Sequence, residues 1–192
     1  MKIDYVEFIP DDREILADWL VSDTFPFHGG PDLTREIVLE RVATGVYANE
    51  RTRTFWVILD DGTRAGLLQL RDIGDPSLMF DIRLRTEQRG KGIGRHALRW
   101  LTDLIFTSYQ AVERVEATTR QDNYAMRSVF RHCGYVKEAH YRGAWHGRDR
   151  RYDAMGYAIT REDWEGKVVT LPDWNDLGEL SAVLTSQGAV GE

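Results

Sequence analysis

The chain has one cysteine, Cys133, among 192 residues. A lone thiol excludes an internal disulfide and any metal cage built from cysteines, and no other metal site is called for. Cys133 falls on the apolar face of an expected helix, so it reads as a buried structural thiol rather than a nucleophile. No apolar run approaches the ~20 residues that cross a bilayer, and Met1-Lys2-Ile3-Asp4 lacks an apolar signal segment. The expectation is a soluble, cytoplasmic protein without a membrane partner. Positive charge is also short: 25 lysines and arginines against 31 aspartates and glutamates leave a formal charge of −6, with a pI near 5.4. That balance argues against nucleic acid as the main partner and is compatible with a cationic or amine substrate. No internal repeat is present. What is there is 42% hydrophobic residues, enough for one domain with one sizeable core.

The most informative stretch is Arg89-Gly90-Lys91-Gly92-Ile93-Gly94. Leu78 to Leu84 before it reads as a strand, and Arg95 to Phe106 after it places Ala97, Leu98, Leu101, Leu104 and Ile105 on one helical face. A glycine-rich turn that opens a helix presents free N–H groups and the positive end of the helix dipole, a site for an anion and most often a phosphate. Arg89, Lys91, Arg95 and Arg99 add cationic charge there. The competing reading is that the glycines merely make a tight connection. The spacing excludes both the G-x-G-x-x-G dinucleotide turn and the Walker loop, whose Lys-Ser or Lys-Thr is missing.

Lys2 to Phe8 reads as a first strand, and Asp11 with Glu14 as a capping box opening a helix that buries Ile15, Leu16, Trp19 and Leu20. Asp23 to Pro31 is a Pro/Gly-rich loop, and a second helix is expected over Asp32 to Thr44. Phe55–Leu59 and Ala65–Leu70 flank Asp60-Asp61-Gly62-Thr63 as a hairpin. Past the central helix, a strand over Val112 to Thr118 leads to a helix that begins at Asp122 and is capped by Gly134, its apolar face being Ala125, Met126, Val129, Phe130 and Cys133. Tyr135–His140 and Tyr152–Ile159 read as strands separated by the polar stretch Arg142 to Arg151. Beyond Trp164 the pattern fades, leaving 166–192 as an extension with at most one short helix, around Leu177 to Leu184, and a disordered end. The fold class is therefore α/β (α+β), a mixed sheet with helices on both faces.

Arg89 to Gly94 fits R-x-x-G-x-G and resembles the pyrophosphate loop of the GNAT superfamily of N-acetyltransferases. Asn123-Tyr124-Ala125-Met126 through Cys133-Gly134-Tyr135 is similar to that family's second signature. The continuation through Trp145-His146-Gly147-Arg148 and Glu162-Asp163-Trp164 resembles the ribosomal-protein (RimJ/RimL) and spermidine acetyltransferase branches. The resemblance covers Met1 to Glu165. It implies one three-layer domain over 1–165, with a mostly antiparallel sheet of six or seven strands.

The same resemblance implies acetyl-coenzyme A as cosubstrate. Its pyrophosphate would lie on the amides of Arg89, Gly90, Lys91, Gly92, Ile93, Gly94 and Arg95, and its thioester carbonyl would face a backbone N–H near Leu84. Asn123 would meet the pantetheine arm or order water. Glu116, on the strand before it, is the leading candidate for the base that takes the amine's proton, with Asp81, Asp153 and His28 as rivals. Phe27, His28, Asp81 and Trp145 would border the acceptor pocket, with Phe25 beside them. Two departures stand out: Phe130 occupies the place of the usual tyrosine proton donor, and Met126 that of a serine used in the ribosomal-protein branch. The alternative function is accordingly a coenzyme-binding module without chemistry. The arginines Arg142, Arg148, Arg150 and Arg151 read as decoration of an exposed hairpin, the alternative being a site for an anionic acceptor. Tyr141, Trp145, Trp174 and Leu180 suggest a homodimer.

Overall fold

The computed structural model describes residues 2–28, 33–147 and 150–174. The short helix expected around Leu177 to Leu184, together with Leu180, Arg148 and the Gly29 to Pro31 part of the loop, lies outside the described residues. Among the described residues the order is β1 (Ile3–Glu7), α1 (Arg13–Val21), α2 (Arg35–Ala43), β2 (Arg53–Leu59), β3 (Arg64–Arg71), β4 (Ser77–Leu84), α3 (Ile93–Ser108), β5 (Arg114–Arg120), α4 (Tyr124–His132), β6 (Val136–His146), β7 (Arg151–Thr160) and α5 (Arg161–Gly166). The strands form one seven-stranded sheet in the order β1-β2-β3-β4-β5-β7-β6. Every neighbouring pair is antiparallel except β4 and β5.

Alternation along the strands sends side chains to two cores. Leu78 and Phe80 of β4, Val115 and Ala117 of β5, and Met155, Tyr157 and Ile159 of β7 pack with Ile93, Ala97, Leu98, Leu101 and Ile105 of α3 and Phe130 of α4. On the opposite face Trp56 and Leu67 meet Leu16, Ala17, Trp19 and Leu20 of α1 and Val38 of α2. No helix among the described residues is long and apolar enough to cross a membrane.

Several local expectations are corrected. No capping box forms at Asp11: residues Pro10–Asp12 make a 3-10 turn, Glu14 bonds to Arg35, and Asp12 accepts from the Trp56 indole at 3.3 Å. Ile15 is 41% exposed, so the buried face of α1 runs instead through Leu16, Ala17, Trp19 and Leu20. The second helix starts later, where Thr34 accepts from the Ile37 amide at 3.3 Å. Ala125 is exposed, and only Phe130 of α4 is fully buried. The polar stretch after Arg142 is mostly strand, not loop. There Gly143, at φ 62°, and a register shift between Tyr141 and Trp145 let β6 bend without ending. Helix α5 was not expected; Thr160 caps it by accepting from Asp163 N at 3.1 Å, and Arg161 fastens it by donating to the carbonyls of Phe106, Tyr109 and Val112.

The parallel pair β4–β5 holds only through Ser77↔Arg114, Leu78↔Val115 and Met79↔Glu116. Beyond that rung the two strands diverge, opening a gap at the middle of the sheet.

Candidate active site

Helix α3 begins at the wide end of the gap. Gly90 and Gly92 stand at φ 76° and 83°, the left-handed region that glycine enters without a Cβ penalty, and Gly92 is the residue preceding the first turn of α3. The amides of Gly90, Lys91, Gly92, Ile93 and Gly94 donate to no group among the described residues. Five consecutive donors at a helix start, with the Lys91 and Arg95 side chains alongside, fit a diphosphate. Arg89 does a different job: it donates to the carbonyls of Leu84 at 3.1 Å and Thr24 at 2.6 Å and lies over the Phe25 ring, fastening the glycine loop to the segment after α1.

Peptide groups of β4 also face the gap. In an antiparallel strand the N–H and C=O of one residue point the same way. The Ile82 carbonyl accepts from His28, the Leu84 carbonyl accepts from Arg89, and Arg85 N donates to Ala65 of β3. The even-numbered residues therefore turn away from β3, which aims the Leu84 amide into the opening.

A cleft of about 240 Å³ occupies the gap, and it brings together Phe27, His28, Asp81, Asn123 and Trp145. Its two walls differ. Phe80, Ala117 and Thr119 face the α3/α4 side, with Met126 and Phe130 of α4 beside them, whereas Met79, Asp81, Arg83, Glu116 and Thr118 alternate onto the other face.

On that second face Asp81 is the central group. Its carboxylate accepts from His28 Nε2 at 2.9 Å and from Arg83 Nε at 2.9 Å. Burial opposes its ionisation, but the His28 bond and charge and the Arg83 guanidinium outweigh it and hold the carboxyl well below the usual carboxylate range. His28 Nε2 also lies 3.2 Å from the Ile82 carbonyl. With two acceptors before it, Nε2 is a donor and carries a hydrogen. Arg71 reaches into the same cleft 4.0 Å from Asp81, its Nε held by Gln69.

Glu116 stands on the last paired rung, and lines a neighbouring pocket of about 80 Å³ rather than the main cleft; Met79, Ala117 and Thr118 are common to both. Arg114 donates to Glu116 Oε2 at 2.9 Å and to Glu138 Oε2 at 2.8 Å, leaving Glu116 Oε1 without a bond among the described residues. Asp153 is outside both pockets and is bonded to His140 and to Gly143 N. Asn123 caps α4, its Oδ1 accepting from Met126 N at 3.2 Å, while its Nδ2 donates to Thr119 Oγ1 at 3.0 Å. Phe130 is stacked on Tyr157 at 4.6 Å in the core. The Cys133 thiol donates to the Arg95 carbonyl, and burial pushes it up, away from thiolate chemistry. Thr119, Arg71 and Arg83 escaped the reading of the sequence; the two-residue spacing of Arg83 from Asp81 on one strand was the available signal, and for Thr119 there was none.

A split sheet, a row of free amides at a helix start and a cleft between them define an acyltransferase that takes its acyl group from a coenzyme A thioester. A family model described as "Acetyltransferase (GNAT) domain" matches residues 5–136, and the chain belongs to that family. It is an acetyl-coenzyme A-dependent N-acetyltransferase. Comparison with curated protein sequences gives no match. Among solved structures it is similar to a spermidine N-acetyltransferase chimera from Vibrio cholerae and hSSAT, with a TM-score of 0.76, 18% identity, and coverage of 86% of this chain and 99% of that one. It is similar too to the dodecameric spermidine N-acetyltransferase from Vibrio cholerae (TM-score 0.73, 18% identity, 86% and 97% covered) and to that enzyme in complex with CoA and spermine (0.72, 19%, 85% and 98%). At such identities the likeness establishes the fold.

Proposed function

We propose that the protein transfers acetyl from acetyl-coenzyme A to a primary amine by direct attack within the gap between β4 and β5. The observation that carries this reading is the run of five unpartnered amides, Gly90 to Gly94, at the mouth of that gap. The diphosphate lies on those amides with Lys91 and Arg95. The pantetheine arm then runs along the α4 wall past Asn123, which leaves the thioester carbonyl to accept from the Leu84 amide. A backbone donor placed there acts on charge that develops as the carbonyl is attacked.

The amine enters from the opposite wall, over Asp81, Phe27 and Trp145. Asp81 is the poorer proton acceptor of the two nearby carboxylates, since both of its oxygens are bonded and it is held ionised. Glu116, with Oε1 uncommitted at the vertex of the gap, is the base, working through water. Among the described residues the only carboxylate lining the main cleft is already paired, and Arg71 and Arg83 stand beside it, so a polyamine finds more positive than negative charge there. The acceptor is accordingly an amine whose remaining part is neutral or anionic. The spermine named for the Vibrio cholerae complex belongs to that protein. Thiol release measured over amino acids, peptides with acidic second residues, aminoglycosides and spermidine tests this; turnover confined to spermidine would reject the acceptor class, and no turnover with any amine would favour a coenzyme-binding module.

We infer further that residues 1–165 are the catalytic unit, that it works in the cytoplasm and that it self-associates as a homodimer. Tyr141 at 49% and Trp174 at 61% exposure, with β6 at the sheet edge, support the last point. Light scattering that finds only monomer across micromolar concentrations would refute it.

A further inference from the structure

The positions where relatives of this family keep a proton donor are held here by Phe130 and Met126, neither of which has a hydroxyl, yet the same wall of the cleft contains one. Met126 N can only donate, so the Asn123 atom 3.2 Å from it is the carbonyl oxygen. That fixes the amide's orientation and makes its other end, 3.0 Å from Thr119 Oγ1, the NH₂ group. Thr119 Oγ1 is therefore an acceptor in this bond, and its own hydrogen is left over. No acceptor for that hydrogen exists among the described residues, although Thr119 is only 4% exposed. A buried hydroxyl with an unspent donor costs free energy unless something takes the bond.

Other hydroxyls near the α4 wall do not meet the need. Tyr135 spends its bond on Thr102 at 2.8 Å, since Thr102 in turn donates to the Leu98 carbonyl. Tyr157 is not among the residues that line the cleft. Thr118 alternates onto the acceptor face.

We propose that Thr119 is a catalytic residue, the hydrogen-bond donor to the coenzyme sulfur, and that Asn123 is the positioning residue that orients it. This rests on the reading that the thioester arm passes along the α4 wall. As the amine nitrogen bonds to the carbonyl carbon, the C–S bond breaks and its electron pair stays on sulfur. The amine's proton leaves to Glu116 through water. Thr119 keeps its proton and shares it with the thiolate, which takes a proton from solvent on release. A thiolate is already a tolerable leaving group, the free thiol having a pKa of about 8.5, so a hydrogen bond suffices where a full proton donor is missing.

The test reads the sulfur without needing the acceptor. Coenzyme A is bound to the full-length protein, and the ionisation of its thiol is followed by the ultraviolet absorbance of the thiolate. Thr119→Val should raise the bound thiol's pKa by about one unit, a tenfold change in its ionisation constant, and Thr119→Ser should restore it; with an active amine, Thr119→Val should lower kcat by about tenfold, in step with that constant. Asn123→Asp keeps the helix cap but offers Thr119 an acceptor, so the hydroxyl spends its hydrogen there. Thr119→Val should then have no further effect on the thiol in that background. A thiol pKa that is equal in the parent and in coenzyme-binding Thr119→Val overturns the proposal. If Thr119→Val does not fold, a thiol unchanged by Asn123→Asp overturns it. Failure of the unaltered protein to bind coenzyme A overturns instead the reading on which it rests.

Discussion

Gly92 and Gly62 allow the diphosphate placement to be separated from backbone strain. Both stand at φ 83°. A Cβ built on Gly62 meets nothing within 4 Å, and one on Gly92 meets only an Arg95 guanidinium nitrogen at 3.9 Å, so neither alanine collides with anything. What each costs is the left-handed conformation itself, ~1–2 kcal/mol. For a chain of this size that lowers the melting temperature by roughly 2–8 °C, about equally in the two variants. Coenzyme affinity should divide them. Relief of the strain at Gly92 turns a peptide of the 90–94 row away from the anion, and losing one bond to a charged acceptor, worth about 1.5–3 kcal/mol, weakens binding roughly ten- to a hundredfold. Gly62 sits in the β2–β3 turn, where no such donor is at stake. Thermal melts and calorimetry with coenzyme A measure both quantities. Unchanged affinity in folded Gly92→Ala, or an equal loss in Gly62→Ala, would refute the placement.

Glu116→Gln should lower turnover at neutral pH and leave coenzyme affinity intact, with much of the rate recovered as pH rises towards the amine's own pKa; parent-like rates at every pH would move the base to His28 or Asp81. Asp81 has a folded-state pKa below its unfolded value of about 3.9, so its contribution to stability is complete above that value and is lost as pH falls through it towards the folded value. The stability gap between the parent and Asp81→Asn, followed by urea titration, should therefore narrow below about pH 4, and a gap constant from pH 7 to 3 (an arbitrary test range spanning roughly the carboxylate region) would contradict the assigned pairing. Arg161→Ala removes three part-buried bonds to backbone carbonyls and should cost ~2–4 kcal/mol; a change under ~0.5 kcal/mol would show that these bonds do not hold the end of the chain.

The sequence disclosed those parts of the site that local chemistry dictates. The glycine turn and the Gly62 and Gly134 turns are written in residues whose conformational needs are particular, and each appears where it was expected. The outer part of strand β6 escaped because it is a polar edge whose pairing comes from β7, not from apolar alternation of its own. Helix α5 escaped because six residues are too few to show a period. His28 reaches Asp81 across 53 positions of the chain, and the Arg114 bridge joins 116 to 138; such bonds depend on the sheet, not on the neighbourhood of any one residue.

The three-rung junction between β4 and β5 also divides the polypeptide as a linear object. Everything on one side of it, β1 to β4, is drawn from residues 3–84, and everything on the other, β5 to β7, from residues 114–160. Both walls of the cleft take side chains from each segment, but the ladder bonds stay almost wholly within a segment. A crossover in the connector between Ser108 and Arg114 would exchange whole half-sheets between homologues while breaking few ladder bonds, so recombination can mix the β4 and β5 margins of the gap without rebuilding either half.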